Sequence, residues 1–164
     1  MNASPLQRRY NNARYNLLLV VIFTAINLIL LATGSDTYFI FTATVPYILG
    51  IFGMIYTGMM PTEFYVEAEL IGMEFLNPSF FYIMIAIAAV MVVGYLLCWL
   101  LSGKNRGFWL TAALLAFVLD TVFLFFYYGI DLSMIVDYVF HIYIVGSLFM
   151  GYTAYRKMKK EGEI

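Results

Sequence analysis

The amino-acid sequence predicts an all-α membrane protein with four transmembrane helices plus a Pro/Gly-broken re-entrant or interfacial element. Five transmembrane helices are the alternative. Three observations predict this class. Of 164 residues, 63% are hydrophobic and 12% charged, about half the ~25% charge of an ordinary soluble domain. Apolar runs of about 18 residues or more recur, the signature of membrane spans. The lysines and arginines, finally, fall on one side of the membrane only if one of the apolar runs does not cross.

The chain is expected to form a single integral membrane domain over residues 1–164. Its net charge of −1 gives no basic footprint for a nucleic acid, and its one cysteine, Cys98, excludes an internal disulfide framework or a multi-cysteine metal site. No cofactor is implied. The expected partners are the lipid bilayer and, beyond it, a second copy of the chain or another membrane protein.

Residues 1–16 are polar and basic, with Arg8, Arg9 and Arg14, and lead into a first span at 17–33. Ala32-Thr33-Gly34 has the small residues of a signal-peptide cleavage site, but the basic lead-in is long for that role, so an uncleaved span is expected. The run 38–60 is unusual, since it carries Pro46, Gly50, Gly53 and Gly58. Proline removes a backbone donor and clashes with the preceding turn, which places a break near Ala43–Pro46. An acidic loop follows at 61–78, with Glu63, Glu67, Glu69 and Glu74 and neither Lys nor Arg; Pro61-Thr62-Glu63 marks the start of a short surface helix there. Further spans are expected at 80–101, 108–128 and 132–155, the first two joined by a short loop carrying Lys104 and Arg106. The tail begins Arg156-Lys157-Met158-Lys159-Lys160.

Positive residues in short loops remain cytoplasmic. If all five runs cross, either the first three arginines or the later cations are stranded outside. If 38–60 does not cross, all nine Lys and Arg become cytoplasmic together with both termini, while Asp36, the four glutamates and Asp131 lie outside. Trp99 and Trp109 then mark one interface, and Tyr127 and Tyr128 the other. The run 38–60 remains long enough to span, so five crossings stay open at this point.

Three ionisable residues sit inside apolar runs: Asp120, Asp137 and His141. A charge in hydrocarbon costs about 2.5–3.5 kcal/mol on insertion scales, so each needs a partner or a proton. Asp137 and His141 are four apart on one helical face, which continues through Ser147, Gly151 and Tyr155. Ser147 and Gly151 form a small-xxx-small pair suited to close helix packing, within the bundle or between copies. Asp120 lies eleven residues before Asp131 and His141 ten after it, which gives them similar depth in an antiparallel hairpin. Asn27 falls in the same layer. A buried Asp–His(–Asn) cluster in the outer half of the membrane is the expectation. Its functions range from a hydrogen bond that fixes helix register, through proton or ion handling, to a divalent-metal site completed by Asp137. The glutamates Glu63, Glu67, Glu69 and Glu74 form an acidic outer surface that is either a plain solvated face or a collector of cations. Nucleophile, zinc-protease and phosphate-loop motifs are absent from the sequence, which argues against an enzyme.

Two stretches, TGSDTYFIFTATVPYILGIFG over 33–53 and DYVFHIYIVGSLFMGYTAYRKMKK over 137–160, resemble a group of small polytopic membrane proteins of Gram-positive bacteria. That group has no assigned activity, so the resemblance implies a bacterial cytoplasmic membrane and transfers no catalytic residue. The leading functional expectation is proton- or cation-linked transport through Asp120, Asp137 and His141. A non-catalytic membrane subunit or sensor that binds a protein or lipid partner is the alternative, and a metal-assisted enzyme is the weakest.

Overall fold

A computed structural model describes residues 4–35, 37–103 and 105–164. Asp36 and Lys104, used above for orientation, lie outside the described residues. The elements are α1 (Pro5–Ala32), α2 (Thr44–Tyr56), α3 (Thr62–Glu67), α4 (Ser79–Leu101), α5 (Gly107–Tyr128), a 3₁₀ turn (Leu132–Met134) and α6 (Ile135–Glu161), with no strand among the described residues. Four helices, α1, α4, α5 and α6 with its leading turn, are long and apolar enough to cross a membrane.

Local signals explain the helix ends. Ser4 accepts a hydrogen bond from the Gln7 amide at 3.2 Å, and Pro5 follows at the first helical position, where no donor is needed. α1 therefore begins well before the apolar run 17–33. Likewise α6 continues past 155 to Glu161, ending at Gly162 in the left-handed conformation (φ 74°) with Lys159 and Lys160 in its last turn. At about 1.5 Å per residue both helices exceed the ~30 Å hydrocarbon core, so their charged turns project beyond it. Asp131 caps the 3₁₀ turn through the Ser133 amide, 2.8 Å away, which holds its exposed carboxyl below the usual range.

The run 38–60 is not a span. Residues 37–43 lead inward without helical structure, and α2 then returns toward the side it came from. Three contacts trace this path along α1. Phe39 pairs with Asn27, Ala43 bonds Thr24 deeper in the bundle, and Gly50 lies against Leu31 near the helix's end. With 13 residues, about 20 Å, α2 is too short to cross. Pro46 does not break it. The break falls just before Thr44, and Pro46 occupies the first turn, where its missing N–H leaves no bond unmade. Of the acidic loop 61–78, only Thr62–Glu67 is helical.

Both chain ends and the α4–α5 loop share one end of the bundle. Ser4 bonds Glu163 at 2.9 Å, Gln7 bonds Asn105 at 3.1 Å, and Arg14 bonds both Ser102 and the Trp99 carbonyl while lying over the Trp99 ring. This basic end carries the described lysines and arginines, whereas Glu63, Glu67, Glu69, Glu74 and Asp131 lie at the other, acidic end, all exposed. The face of α6 predicted to be continuous is buried, from Asp137 and His141 through Ser147 and Gly151. Ser147 accepts from Asn16 at 2.7 Å, and a Cβ on Gly151 would stand 2.4 Å from that of Ala13. The small-residue pair thus seats α1 inside the bundle and is not free to serve as a seam between copies.

Two outcomes test this arrangement. In a Cys98→Ala background, Thr37→Cys and Glu69→Cys are expected to react with an impermeant maleimide from the same side of a sealed vesicle; labelling from opposite sides would mean that α2 crosses. Gly151→Val is expected to cost about 1–3 kcal/mol by overpacking, read as helix loss on denaturant titration. Gly94→Val, whose added carbons meet open space, serves as the near-neutral control.

Candidate functional site

The hairpin tip places the first turn of a helix at membrane depth, where four backbone N–H groups have no helical acceptor. Each is accounted for. The Ala43 amide donates to Thr24 Oγ1 at 2.9 Å, the Thr44 amide to Asp120 Oδ2 at 2.8 Å, and the Val45 amide to Asp120 Oδ1 at 2.8 Å. Pro46, the fourth, has no N–H. Asp120 therefore caps α2 from a neighbouring helix, using both oxygens. The partial positive charge at a helix N-terminus also attracts hydrogen-bond acceptors there.

His141 completes the cluster. Its Nε2 lies 3.1 Å from Asp120 Oδ2 and 3.0 Å from Thr44 Oγ1, and its Nδ1 lies 2.8 Å from the Asp137 backbone carbonyl. A carbonyl can only accept, so Nδ1 carries a proton and donates. The Asp120 and His141 side chains are 2% and 1% exposed, so water does not screen the pair. The imidazole stacks on Phe117, with ring centroids 5.1 Å apart, and meets Phe140 edge-on. Among the described residues this is the sole pairing of opposite ionisable groups within 4.0 Å.

The equal-depth expectation for Asp120 and His141 thus corresponds to a direct contact. Asn27 has a different place. Its amide donates to the Phe39 carbonyl at 2.7 Å and its oxygen accepts from the Phe39 amide at 2.9 Å, so it clamps the descending strand of the hairpin and does not touch the pair. Asp137 is also separate: only its backbone carbonyl touches His141, while its side chain accepts from the Tyr38 hydroxyl at 3.3 Å. No three His, Cys, Asp or Glu side chains converge among the described residues, so the Asp, Asp, His ligand set is not assembled. Glu63, Glu67, Glu69 and Glu74 stand apart from the cluster on the exposed loop.

Two cavities adjoin the cluster. One, of about 250 Å³, is lined by Tyr38, Thr44, Tyr47, Tyr128, Met134 and Asp137. It lies toward the acidic end, and Thr44 links it to His141. The other, of about 590 Å³, lies between α4 and α5, with Gly94, Ala112 and Ala116 making room and apolar walls throughout except at Asp120 and Tyr95. Toward the basic end the α5–α6 seam is filled by Leu110, Ala113, Ile144 and Leu148, all buried, so the His141 side of the cluster is closed there, while the α4–α5 cavity reaches Asp120 from Cys98 and Ala112.

Thr44, Thr24, Tyr38 and Tyr47 were not singled out by sequence as site residues, and Tyr128 was read only as an interface marker. Hydroxyl residues are common inside apolar runs. The usable signal was Pro46, since a helix with proline in its first turn at membrane depth needs acceptors for the three amides before it. Comparison with family models, curated proteins and solved structures finds no match to the chain.

Asp120→Ala leaves two amides and an imidazole without their acceptor, and removing one partner of a buried charged pair costs about 3–5 kcal/mol. The expected outcome is faster hydrogen exchange at the Thr44 and Val45 amides, with the α1–α6 contact near Gly151 still protected. Uniform loss of protection would instead mean that Asp120 supports the whole bundle, not the hairpin.

Proposed function

We propose that the protein is a small proton-linked transport protein of a bacterial cytoplasmic membrane, with both termini in the cytoplasm and the acidic end outside. Asp120 and His141 are the proton-handling pair, with Thr44 as the relay to the outer cavity. The observation that carries this reading is the position of His141 Nε2 between two partners, Asp120 Oδ2 at 3.1 Å and Thr44 Oγ1 at 3.0 Å.

Those partners suit both protonation states. With a proton on Nε2, the imidazolium donates to the carboxylate, forming a buried ion pair. Without it, the Thr44 hydroxyl turns to donate to the bare nitrogen, and Asp120 keeps its two backbone donors. Nε2 therefore has a partner in each state, which lessens the desolvation cost of proton gain and loss. Histidine is also the side chain whose ordinary proton exchange lies nearest neutrality. The charge bias supports the orientation, and the resemblance to small membrane proteins of Gram-positive bacteria supports the location.

The apolar seam beyond the cluster supports a second reading, a proton sensor. A proton arriving from outside would shift the hairpin, and a membrane partner would read the shift.

Proteoliposomes containing a pH-sensitive dye separate these. Under an imposed proton gradient, wild-type protein is expected to carry a flux that Asp120→Asn and His141→Gln abolish. If wild type carries no flux with any cation tested, transport fails. If protection of the Thr44 and Val45 amides is then also the same at pH 5 and pH 8, the sensor reading falls with it.

A further inference from the structure

We propose that the cavity bounded by Tyr38, Tyr47, Tyr128 and Asp137 is a binding site for a small organic ammonium, as a free amine or as a lipid headgroup. This goes beyond the proton-linked reading and does not depend on proton exchange at His141.

Asp137 supplies the first observation. It is buried, 8% exposed, yet no cationic side chain lies within 4.0 Å of it among the described residues. One oxygen takes a long hydrogen bond, 3.3 Å, from Tyr38, and the other has no protein donor among the described residues and is not sealed in the core but accessible. A buried carboxylate with spare acceptor capacity is expensive unless something positive completes it. Its position in the first turn of α6 places it near the favourable end of that helix's dipole, which sustains the charge but does not neutralise it.

The aromatic walls are the second observation. Tyr38 and Tyr47 meet at 54° with centroids 4.8 Å apart, forming two sides of a corner, and Tyr128 lines the same cavity from the end of α5. Aromatic faces attract cations through the ring quadrupole, and rings around a carboxylate are the chemistry that recognises alkylated ammonium. A hard metal ion calls instead for several oxygen ligands, and one carboxylate with hydroxyls is a poor set. The volume of about 250 Å³ is below the ~300–1,000 Å³ of drug-sized sites, which fits a small headgroup. The exposed glutamates at the same end of the bundle would raise the concentration of cations there.

The test uses the full chain in phosphatidylglycerol nanodiscs, with tetramethylammonium and ethylammonium as probes followed by ligand-observed NMR. Saturable binding at millimolar concentration is expected. Asp137→Asn should weaken it by on the order of tenfold or more, and Tyr47→Leu or Tyr128→Leu by about 2- to 30-fold. Tyr47→Phe, which keeps the ring face, should leave it nearly unchanged. Competition by phosphatidylethanolamine nanodiscs would assign the site to a lipid headgroup; its absence would assign it to a free amine. The proposal is overturned if no saturable binding occurs, if Asp137→Asn with wild-type helicity and melting binds equally well, or if the uncharged isostere 3,3-dimethylbutan-1-ol or sodium ion competes as strongly as tetramethylammonium. Loss of proton flux with ammonium binding intact would remove the proton reading alone.

Discussion

Two hydrogen bonds from the Thr44 and Val45 amides to Asp120 make the rest of the architecture tenable. A re-entrant helix must expose its first-turn amides at a depth where no water satisfies them. Each unsatisfied amide would cost about 1–3 kcal/mol, and a hairpin tip has several. Asp120 removes two of these debts at once, Thr24 a third, and Pro46 avoids the fourth. The carboxylate benefits in return, because a lone anion in hydrocarbon is costly and two charge-assisted hydrogen bonds offset that cost. The hairpin and the acid are therefore mutually necessary. Neither would be stable in the bundle without the other.

From this follows the role of α6. Asp120 is already served by backbone donors, so His141 is not needed to hold the hairpin's charge balance. It is the member of the cluster that is free to change. Its ring is fixed in plane by Phe117 and in tautomer by the Asp137 carbonyl, which confines any protonation change to Nε2. A change at that atom bears directly on Thr44, the first residue of α2, and through it on the helix that lines both cavities. Any protonation change at His141 would thus be coupled to the least conventional element of the fold.

The fold was largely legible in the sequence, the site only in part. Charge bias favoured four crossings over five because the cations are many and one-sided, and Pro46 marked where the backbone would turn. Depth counting brought Asp120 opposite His141 because both lie on one antiparallel hairpin, where distance from the turn fixes height. The same counting misplaced Asn27. Height alone says nothing of direction around a helix, and α1 faces the descending strand of the hairpin at that level. The dependence of the site on backbone amides was also hidden, since sequence patterns register side chains and not the donors that an interrupted helix leaves open. Ser147 and Gly151 were recognised as a close-packing pair, but only the contacts with Asn16 and Ala13 decided that the neighbour is α1.

Asp120 and Asp137 show how two carboxylates buried a short way apart acquire different chemistry. Asp120 is enclosed, with both oxygens committed to the backbone and its third contact to the imidazole. Its oxygens are turned to protein donors, and the cavity beside it, apolar apart from Asp120 and Tyr95, presents a surface suited to hydrocarbon chains. Asp137 lies nearer the acidic end of α6, with one tyrosine bond and open space before it. It stands in the first turn of α6 with no cationic side chain within 4.0 Å among the described residues. The first acid is consumed in building the structure, whereas the second remains available. A cation arriving from the acidic end would meet Asp137 first, with Thr44 standing between that cavity and Nε2 of His141. Cation occupancy and the protonation of His141 would then be electrostatically opposed across one hydroxyl group, since like charges at short range in a water-poor site repel strongly.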